Sequence, residues 1–126
     1  MTVPDEIGRS RYVSLTTYRK NGTGVATPVW HVVNGGELFI VSDADAWKVK
    51  RIRNNSHVEV TVCDIRGKIA PGAPSAQGTA RLLDEADTHA GRTLLARKYV
   101  LSRLGNWFRT VLHVRNRPVV GIAVTF

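Results

Sequence analysis

The sequence predicts a mostly β fold, an antiparallel barrel into which helices are inserted late in the chain. Three segments rich in β-branched and aromatic residues are separated by turn signals, Asn21-Gly22 after the first and Gly35-Gly36 after the second. These segments, residues 11–18, 25–33 and 38–41, are therefore expected to form a meander of antiparallel strands. Alternating or strongly apolar stretches predict further strands at residues 58–62, 76–83 and 118–126.

A helix is expected over residues 45–54, shortly after the first three strands. Ala46, Val49 and Ile52 recur there at three-residue spacing, which gives the segment one apolar face. The small polar and acidic residues 42–45 are typical of a helix start. The pattern therefore predicts a short amphipathic helix that begins just after the third strand.

The length and composition indicate one domain. With 126 residues, of which 43% are hydrophobic, the chain can bury a core, and it contains no repeat, low-complexity tract or interdomain linker. We expect a single domain over residues 1–126, with residues 1–8 as an N-terminal arm. A second helical region is expected over residues 84–113, although Gly91 and Gly105 interrupt its pattern.

The charge balance and the missing signatures narrow the classes of function. A formal net charge of +8 attracts anions, which fits nucleic acid, a phosphorylated cofactor or simply a solvated basic surface. The sequence has no nucleophile elbow, P-loop or dinucleotide fingerprint, and its few acidic residues are scattered. An enzyme with this sequence would therefore take its reactivity from a cofactor.

The cysteine and hydropathy patterns favour a cytoplasmic protein. Cys63 is the only cysteine, which excludes an internal disulfide, and we expect it to be a small buried residue in a strand. Residues 1–11 lack the apolar region of a signal peptide, and no apolar run approaches the length of a membrane span. The four histidines lack metal-ligand spacing, so no metal site is expected.

The first candidate binding element is the apolar strand segment that contains a proline. Pro28 cannot donate a ladder hydrogen bond, so it belongs at a sheet edge, a rim or a bulge. Backbone groups next to it could then bond the polar edge of a planar heterocycle, while Val29 and Trp30 cover the face of that ring. The alternative is that Pro28 only protects the rim of the barrel.

The second candidate is the cationic stretch of the helix predicted over residues 45–54. Lys48 and Arg51 are three residues apart and therefore lie on one side of the helix, where they flank the apolar stripe. Together with Ser42, they would offer a hydroxyl, an ammonium and a guanidinium to a phosphate group. The alternative is an ordinary solvated basic face.

Several runs of residues, taken in order, carry a family resemblance. They are Tyr12-Val13-Ser14-Leu15-Thr16-Thr17, Ala26-Thr27-Pro28-Val29-Trp30, Leu38-Phe39-Ile40-Val41-Ser42, Trp47-Lys48-Val49-Lys50-Arg51-Ile52-Arg53-Asn54, and Gly78-Thr79-Ala80-Arg81-Leu82-Leu83. The chain from residue 9 onward resembles the flavin and deazaflavin split β-barrel oxidoreductases, a superfamily that includes pyridoxamine-phosphate-oxidase-like proteins. It is most similar to the branch that uses coenzyme F420.

The resemblance implies a split, FMN-binding-like barrel that works as a homodimer and holds its cofactor in a groove between subunits. It also implies hydride transfer between coenzyme F420 and a small organic substrate. The residues implied to line the cofactor ring form one run, Thr27, Pro28, Val29 and Trp30. The residues implied to hold the phosphate are Ser42, Lys48 and Arg51, and Arg97 or Arg103 could reach the cofactor tail from the partner subunit.

Three other functions stay open at this point. An FMN-dependent oxidase or reductase would use the same fold and the same contacts. A non-catalytic carrier of a cofactor, haem or fatty ligand would need no proton donor, and the sequence offers only His31 and Tyr18 for that role. A nucleic-acid-binding barrel is disfavoured because the aromatic strand pattern of RNA-binding domains is missing. Trp107 and Phe108 are expected to pack at an interface or between helices.

Overall fold

A computed structural model describes residues 4–100 and 119–126, within which the chain forms seven strands and three helices. The strands are β1 (Val13–Tyr18), β2 (Gly24–Val29), β3 (His31–Asn34), β4 (Glu37–Asp43), β5 (His57–Val62), β6 (Ser75–Leu82) and β7 (Val119–Thr125). The helices are α1 (Asp5–Arg9), α2 (Trp47–Asn54) and α3 (Glu85–Val100).

All seven strands form one antiparallel sheet in the order β2-β1-β5-β6-β7-β4-β3. The sheet curls into a half-barrel whose two edge strands, β2 and β3, are not paired with each other. This arrangement confirms the predicted fold class, a mostly β split barrel with inserted helices. No helix within residues 4–100 and 119–126 is long and apolar enough to cross a membrane.

The expected three-strand meander is wrong, because the segment 25–33 forms two strands rather than one. β2 pairs with β1 and β3 pairs with β4, so the chain leaves one edge of the sheet at Trp30 and joins the opposite edge. Local patterns report strand propensity but not the identity of the partner strand, and Trp30 is not a turn-forming residue. The hairpins on either side of Trp30 were predicted correctly.

Both predicted hairpin turns are confirmed, and both depend on glycine. Gly22 has a φ of 89°, and Asn21 Oδ1 accepts a 3.0 Å hydrogen bond from the backbone amide of Thr23. Gly35 and Gly36 join β3 to β4 with φ values of 58° and 82°, as a two-residue type I′ turn requires. These turns set the register of the two hairpins that form the sheet edges.

The barrel interior holds one apolar cluster to which most elements contribute. Leu15 of β1, Ile40 of β4, Val60 of β5 and Ile122 of β7 are completely buried in it. Ile52 joins the same cluster from α2, which confirms part of the predicted apolar face of that helix. The interior therefore links both edges of the sheet through shared side-chain packing.

A second, smaller cluster lies on the outer face of the sheet, where α3 covers β3, β4 and β7. Phe39 of β4 and Leu95 of α3 are buried there. The ring of Phe39 occupies the space in front of two glycines: a Cβ at Gly91 would overlap it, and one at Gly121 would approach it to 2.7 Å. Gly91 therefore belongs inside the helix, where it permits close contact with the sheet.

The predicted start of the first long helix is wrong. Ser42 and Asp43 are the last residues of β4, and α2 begins at Trp47 with Ala46 as its N-cap and no side-chain cap. The reason is long-range pairing, because β7 pairs with β4 as far as Asp43 and extends the strand past its apolar run.

The structure describes part of the predicted second helical region and the surroundings of Cys63. α3 confirms the predicted second helical region as far as residue 100. Gly105, Arg103, Trp107 and Phe108 lie outside the described residues. Cys63 follows β5 instead of lying within a strand, and it is half-buried, so the prediction of a strand position is wrong by one residue.

Candidate functional site

The proline-containing segment lies at the open edge of the sheet. β2 is an edge strand, which confirms the position predicted for Pro28. Thr27 lies opposite the buried Leu15, so the side chains of Thr27 and Val29 face the barrel interior while Pro28 faces outward. Pro28 lies next to Gly67 in the loop after β5, where a Cβ on Gly67 would be 3.4 Å from the proline ring.

The side-chain hydroxyl of Thr27 is an unsatisfied polar group within the described part of the chain. Its Oγ1 is buried and has no hydrogen-bond partner among residues 4–100 and 119–126. Leaving a buried hydroxyl unpaired costs roughly 1–3 kcal/mol, which a ligand with a polar edge would recover. A planar, polar-edged ring therefore fits this strand. Val29 is packed in the interior cluster, and Trp30 packs against the outer cluster.

Arg51 of α2 is anchored to the neighbouring strand. Its Nε donates a 2.7 Å hydrogen bond to Oγ1 of Thr17, a completely buried residue of β1 that lies directly opposite Val25 of β2. Burial and the nearby charge of Arg19 lower the pKa of the Arg51 guanidinium from its ordinary value. The guanidinium is therefore held beside the β1–β2 hairpin rather than extended into water.

Lys48 lies half-buried on the same side of α2 as Arg51. Burial and the charge of Arg51 lower the pKa of the Lys48 ammonium, and the Asp43 carboxylate acts in the opposite direction. The two cations thus repel each other in a partly desolvated position. An anion bound between them would relieve that repulsion, as the predicted phosphate site requires.

Ser42 occupies the end of the strand that leads into α2. The residue is 8% exposed, and its Oγ donates a 3.2 Å hydrogen bond to the carbonyl of Asp43. The same carbonyl accepts a 3.1 Å hydrogen bond from the Ala46 amide, which turns the chain toward the helix. Ser42 therefore lies on the segment that positions α2, and its hydroxyl already has one partner.

The two candidate elements lie at different ends of the β1–β2 hairpin. Arg51 reaches the sheet at Thr17, opposite Val25, and Pro28 lies three residues further along β2. At 3.3–3.4 Å per residue this separation is roughly 10 Å. The structure therefore brings Lys48 and Arg51 together at one end of β2, and it leaves the run 27–30 at the other end of that strand.

A pocket of about 450 Å³, here called the outer pocket, opens between the β1–β2 turn and α2. Among the described residues, four cations, two aromatic residues and one amide line it: Arg19, Lys20, Lys50, Arg51, Tyr18, Trp47 and Asn54. Among these, sequence reasoning assigned an anion-binding role to Arg51 alone. The available signal was the spacing of Trp47, Lys50, Arg51 and Asn54, which places the four residues on one helix face.

His31, a candidate proton donor, is completely buried. Its Nε2 lies 3.1 Å from the carbonyl oxygen of Ile7 and 3.2 Å from Nζ of Lys98. Burial and the charge of Lys98 lower the pKa of His31 to about 3, so the imidazole is neutral near pH 7 and is not a general acid there. The ring of Tyr18, the other candidate, is stacked on His57 at a centroid distance of 5.5 Å.

Comparison with known families gives one match that spans almost the whole chain. Residues 3–125 match the family described as pyridoxamine 5'-phosphate oxidase. No curated protein matches the sequence.

Solved structures share this fold at low sequence identity. A conserved hypothetical protein from Mycobacterium tuberculosis is 21% identical with a TM-score of 0.71, over 96% of this chain and 76% of that one. An F420 reductase is 22% identical with a TM-score of 0.66, over 98% and 94% of the two chains. A haem storage protein from Vibrio cholerae is 11% identical with a TM-score of 0.65, over 96% and 84%.

Proposed function

The chain belongs to the pyridoxamine 5'-phosphate oxidase family, and we propose that it is an oxidoreductase that binds a flavin-type cofactor along the edge of its split barrel. Coenzyme F420 is our first choice and FMN the second, because each carries a planar ring and a phosphate. The likeness to an F420 reductase supports the first choice. When bound, such a cofactor would supply hydride transfer to or from a small organic substrate.

The juxtaposition of Lys48 and Arg51 is the observation that carries this proposal. Both cations are partly buried, and they lie close enough to each other for the charge of Arg51 to lower the pKa of the Lys48 ammonium. Arg51 is also fixed in place by its bond to Thr17. A preformed pair of cations beside an edge strand suits a phosphate, because charge-assisted hydrogen bonds are among the strongest that a protein makes.

Each predicted residue would have a separate role in binding the cofactor. Lys48 and Arg51 would bind the phosphate, and Ser42 would add a hydroxyl from the end of β4. The ring would lie along β2, where Oγ1 of Thr27 would bond a polar ring atom. The rest of that run, Pro28, Val29 and Trp30, would contact the ring through its backbone at the sheet edge, because the three side chains face different sides of the sheet.

We further propose that the protein is a cytoplasmic homodimer with the cofactor between its subunits. The position of β2 at an edge of the described sheet and the exposed Arg97 of α3 support this arrangement, since a partner subunit could cover the edge and contribute a cation. A monomeric mass in sedimentation equilibrium at micromolar concentration would contradict the dimer.

Cofactor titration of wild-type protein and a Lys48→Ala variant tests the site. We expect the wild type to bind F420 or FMN more tightly than about 100 µM by calorimetry. Removing one charge-assisted contact of roughly 1.5–3 kcal/mol should weaken binding by about 10- to 100-fold, with little change in melting temperature. Arg53→Ala is the matched control, because Arg53 is an exposed cation of the same helix that does not line the outer pocket.

Two results would contradict the proposed site. The first is failure of the wild type to bind either cofactor, and the second is unchanged affinity in Lys48→Ala combined with a lower melting temperature. Protein purified from a host without F420 distinguishes the two cofactors, since a yellow preparation would indicate FMN.

A non-catalytic carrier on the same fold is the second candidate function, and the state of His31 favours it. The buried, neutral imidazole cannot donate a proton near pH 7, which removes one of the two proton donors that the sequence offered. Stopped-flow reoxidation of the reduced, bound cofactor with enones and quinones separates the two functions. Turnover with any of these substrates supports the enzyme, whereas none with the whole panel supports the carrier.

A further inference from the structure

The outer pocket has no role in the cofactor site proposed above, apart from the shared residue Arg51. On α2, Lys48 lies toward the buried side of the helix, whereas Trp47, Lys50 and Asn54 lie on the face that lines the outer pocket. The other wall comes from the turn between β1 and β2, through Arg19 and Lys20. Two regions that are distant in the chain therefore meet here.

The charge of the outer pocket favours an anionic ligand. Arg19, Lys20, Lys50 and Arg51 contribute four positive charges, and none of the seven lining residues that the structure describes is acidic. Arg51 is held in place by its 2.7 Å bond to Thr17, so part of this charge is fixed before any ligand binds. Fixed cations lose less side-chain entropy on binding than mobile surface lysines do.

The aromatic residues of the outer pocket favour a ligand with a planar group. Trp47 is 70% exposed, which leaves most of a large apolar ring in contact with water. Nζ of Lys50 lies 4.4 Å from the centroid of the Trp47 ring, so the cation and the aromatic surface form one unit. On the opposite wall, the stack on His57 restrains the ring of Tyr18. Aromatic rings beside Lys and Arg are the usual platform for nucleic-acid bases.

We propose that the outer pocket binds a nucleoside monophosphate unit, a planar base joined through a sugar to a phosphate. The base would stack on Trp47, and the phosphate would be held by Lys50, Arg51 and the cations of the turn. A pocket of about 450 Å³ lies within the usual range for small-ligand sites, roughly 300–1,000 Å³. A simple inorganic anion would leave Trp47 exposed, and an uncharged aromatic ligand would leave the four positive charges of the pocket unneutralised.

The unit could come from a free nucleotide or from the adenylate half of a dinucleotide flavin, and two arms of one experiment separate these sources. In the first arm, the full chain is titrated calorimetrically with adenosine 5'-monophosphate, adenosine and inorganic phosphate. We expect the nucleotide to bind with a Kd of about 100 µM or tighter and the two fragments to bind at least about 10-fold more weakly. In the second arm, FAD and FMN compete with the nucleotide. Displacement by FAD alone indicates the dinucleotide, displacement by neither indicates a free nucleotide, and displacement by FMN would show that the outer pocket is not a separate site.

Variants at the outer pocket complete the test. Trp47→Ala and Lys50→Gln should each weaken nucleotide binding by about 10-fold, by loss of base stacking or of one phosphate contact. Arg53→Gln removes an equal charge from the same helix outside the pocket and should change the affinity less than about two-fold. Circular dichroism melts check that the exposed substitutions leave the fold intact.

The proposal is overturned if the nucleotide fails to bind at about 1 mM, or if inorganic phosphate binds equally well. It is also overturned if a single-stranded oligonucleotide binds in strong preference to the mononucleotide, which would indicate a nucleic-acid surface instead. Lys48→Ala separates this site from the cofactor site. We expect Lys48→Ala to weaken F420 or FMN binding and to keep nucleotide binding. Lys50→Gln should weaken nucleotide binding and keep F420 or FMN binding.

Discussion

His31 shows how one buried polar residue can be tied to three parts of the chain. It belongs to β3, and its Nε2 lies close to the Ile7 carbonyl of α1 and to Nζ of Lys98 on α3. Nζ of Lys98 also donates a 3.1 Å hydrogen bond to the carbonyl of Ser10. Burial lowers the pKa of Lys98 to about 8, so the ammonium form still predominates at neutral pH. Burial and the charge of the adjacent Lys98 ammonium make protonation of His31 unfavourable.

This environment predicts that the protein loses stability in acid because of His31. The pKa of His31 is about 3 in the folded state and 6.5 when unfolded, so below pH 6.5 the unfolded chain binds a proton that the folded chain does not. The contribution is fully present above pH 6.5 and is lost as the pH falls toward 3. Between pH 6.5 and 4 the free energy of unfolding should fall by about 3 kcal/mol from this residue, measured by urea denaturation.

Substitution of a non-titrating side chain tests that assignment. In His31→Gln the fall in unfolding free energy between pH 6.5 and 4 should be shallower than in the wild type, even if the variant is less stable at pH 7. His89→Gln, at an exposed position of α3, serves as the control and should keep the wild-type slope. Equal slopes in wild type and His31→Gln would show that the imidazole does not cause the acid sensitivity.

At the scale of elements, local chemistry could be predicted and strand partners could not. The turn at Gly35-Gly36 was predictable because a type I′ turn needs positive φ at two adjacent residues, which is a local property. The placement of Lys48 and Arg51 on one side of a helix is equally local, since it follows from helical periodicity. The break at Trp30 was not predictable, because it depends on the pairing of β2 and β3 with strands at opposite ends of the sheet.

The outer pocket could not be predicted from the sequence for a related reason. Arg19 and Lys20 belong to a hairpin turn, and Trp47 and Lys50 belong to a helix that is distant in the chain. Neither segment forms a pocket by itself, so no local pattern could indicate one. The cation-rich helix alone was equally consistent with a solvated face.

The contact between α3 and the sheet makes a prediction in which steric overlap opposes helix propensity. Alanine is favoured over glycine in a helix interior by about 1 kcal/mol. At Gly91, however, an added Cβ would overlap the ring of Phe39, which is 4% exposed and has little room to move. We expect Gly91→Ala to destabilise the protein by roughly 1–3 kcal/mol in urea denaturation, because overpacking outweighs the gain in propensity.

A double-mutant cycle isolates the overlap from other effects of the alanine. In a Phe39→Leu background the smaller side chain should accept the new methyl group, so Gly91→Ala should be neutral or stabilising there. An equal loss of stability in both backgrounds would mean that the substitution acts through something other than Phe39.

At the scale of the whole molecule, the family match and the topology support the same interpretation. The match over residues 3–125 confirms the resemblance to the pyridoxamine-phosphate-oxidase-like superfamily that the residue runs carry. That likeness could be found from sequence because it rests on the order and spacing of several residue runs along the chain. The sequence did not predict how the candidate binding residues pack, since Val29 and Trp30 are adjacent but belong to two separate clusters.

One apolar cluster spans the interior, and from this we propose that residues 1–126 unfold as a single cooperative domain. The cluster includes Leu15 next to the β2 edge and Leu38 next to the β3 edge, so neither edge can lose its packing alone. Far-ultraviolet circular dichroism and tryptophan fluorescence should therefore report the same urea midpoint. Leu15→Ala should lower both midpoints together, because the cavity that it opens at a completely buried position should reduce the free energy of unfolding by about 2–5 kcal/mol. Val33→Ala, at a residue 43% exposed, should change either midpoint little. Two separate transitions would indicate that the edges of the sheet unfold independently.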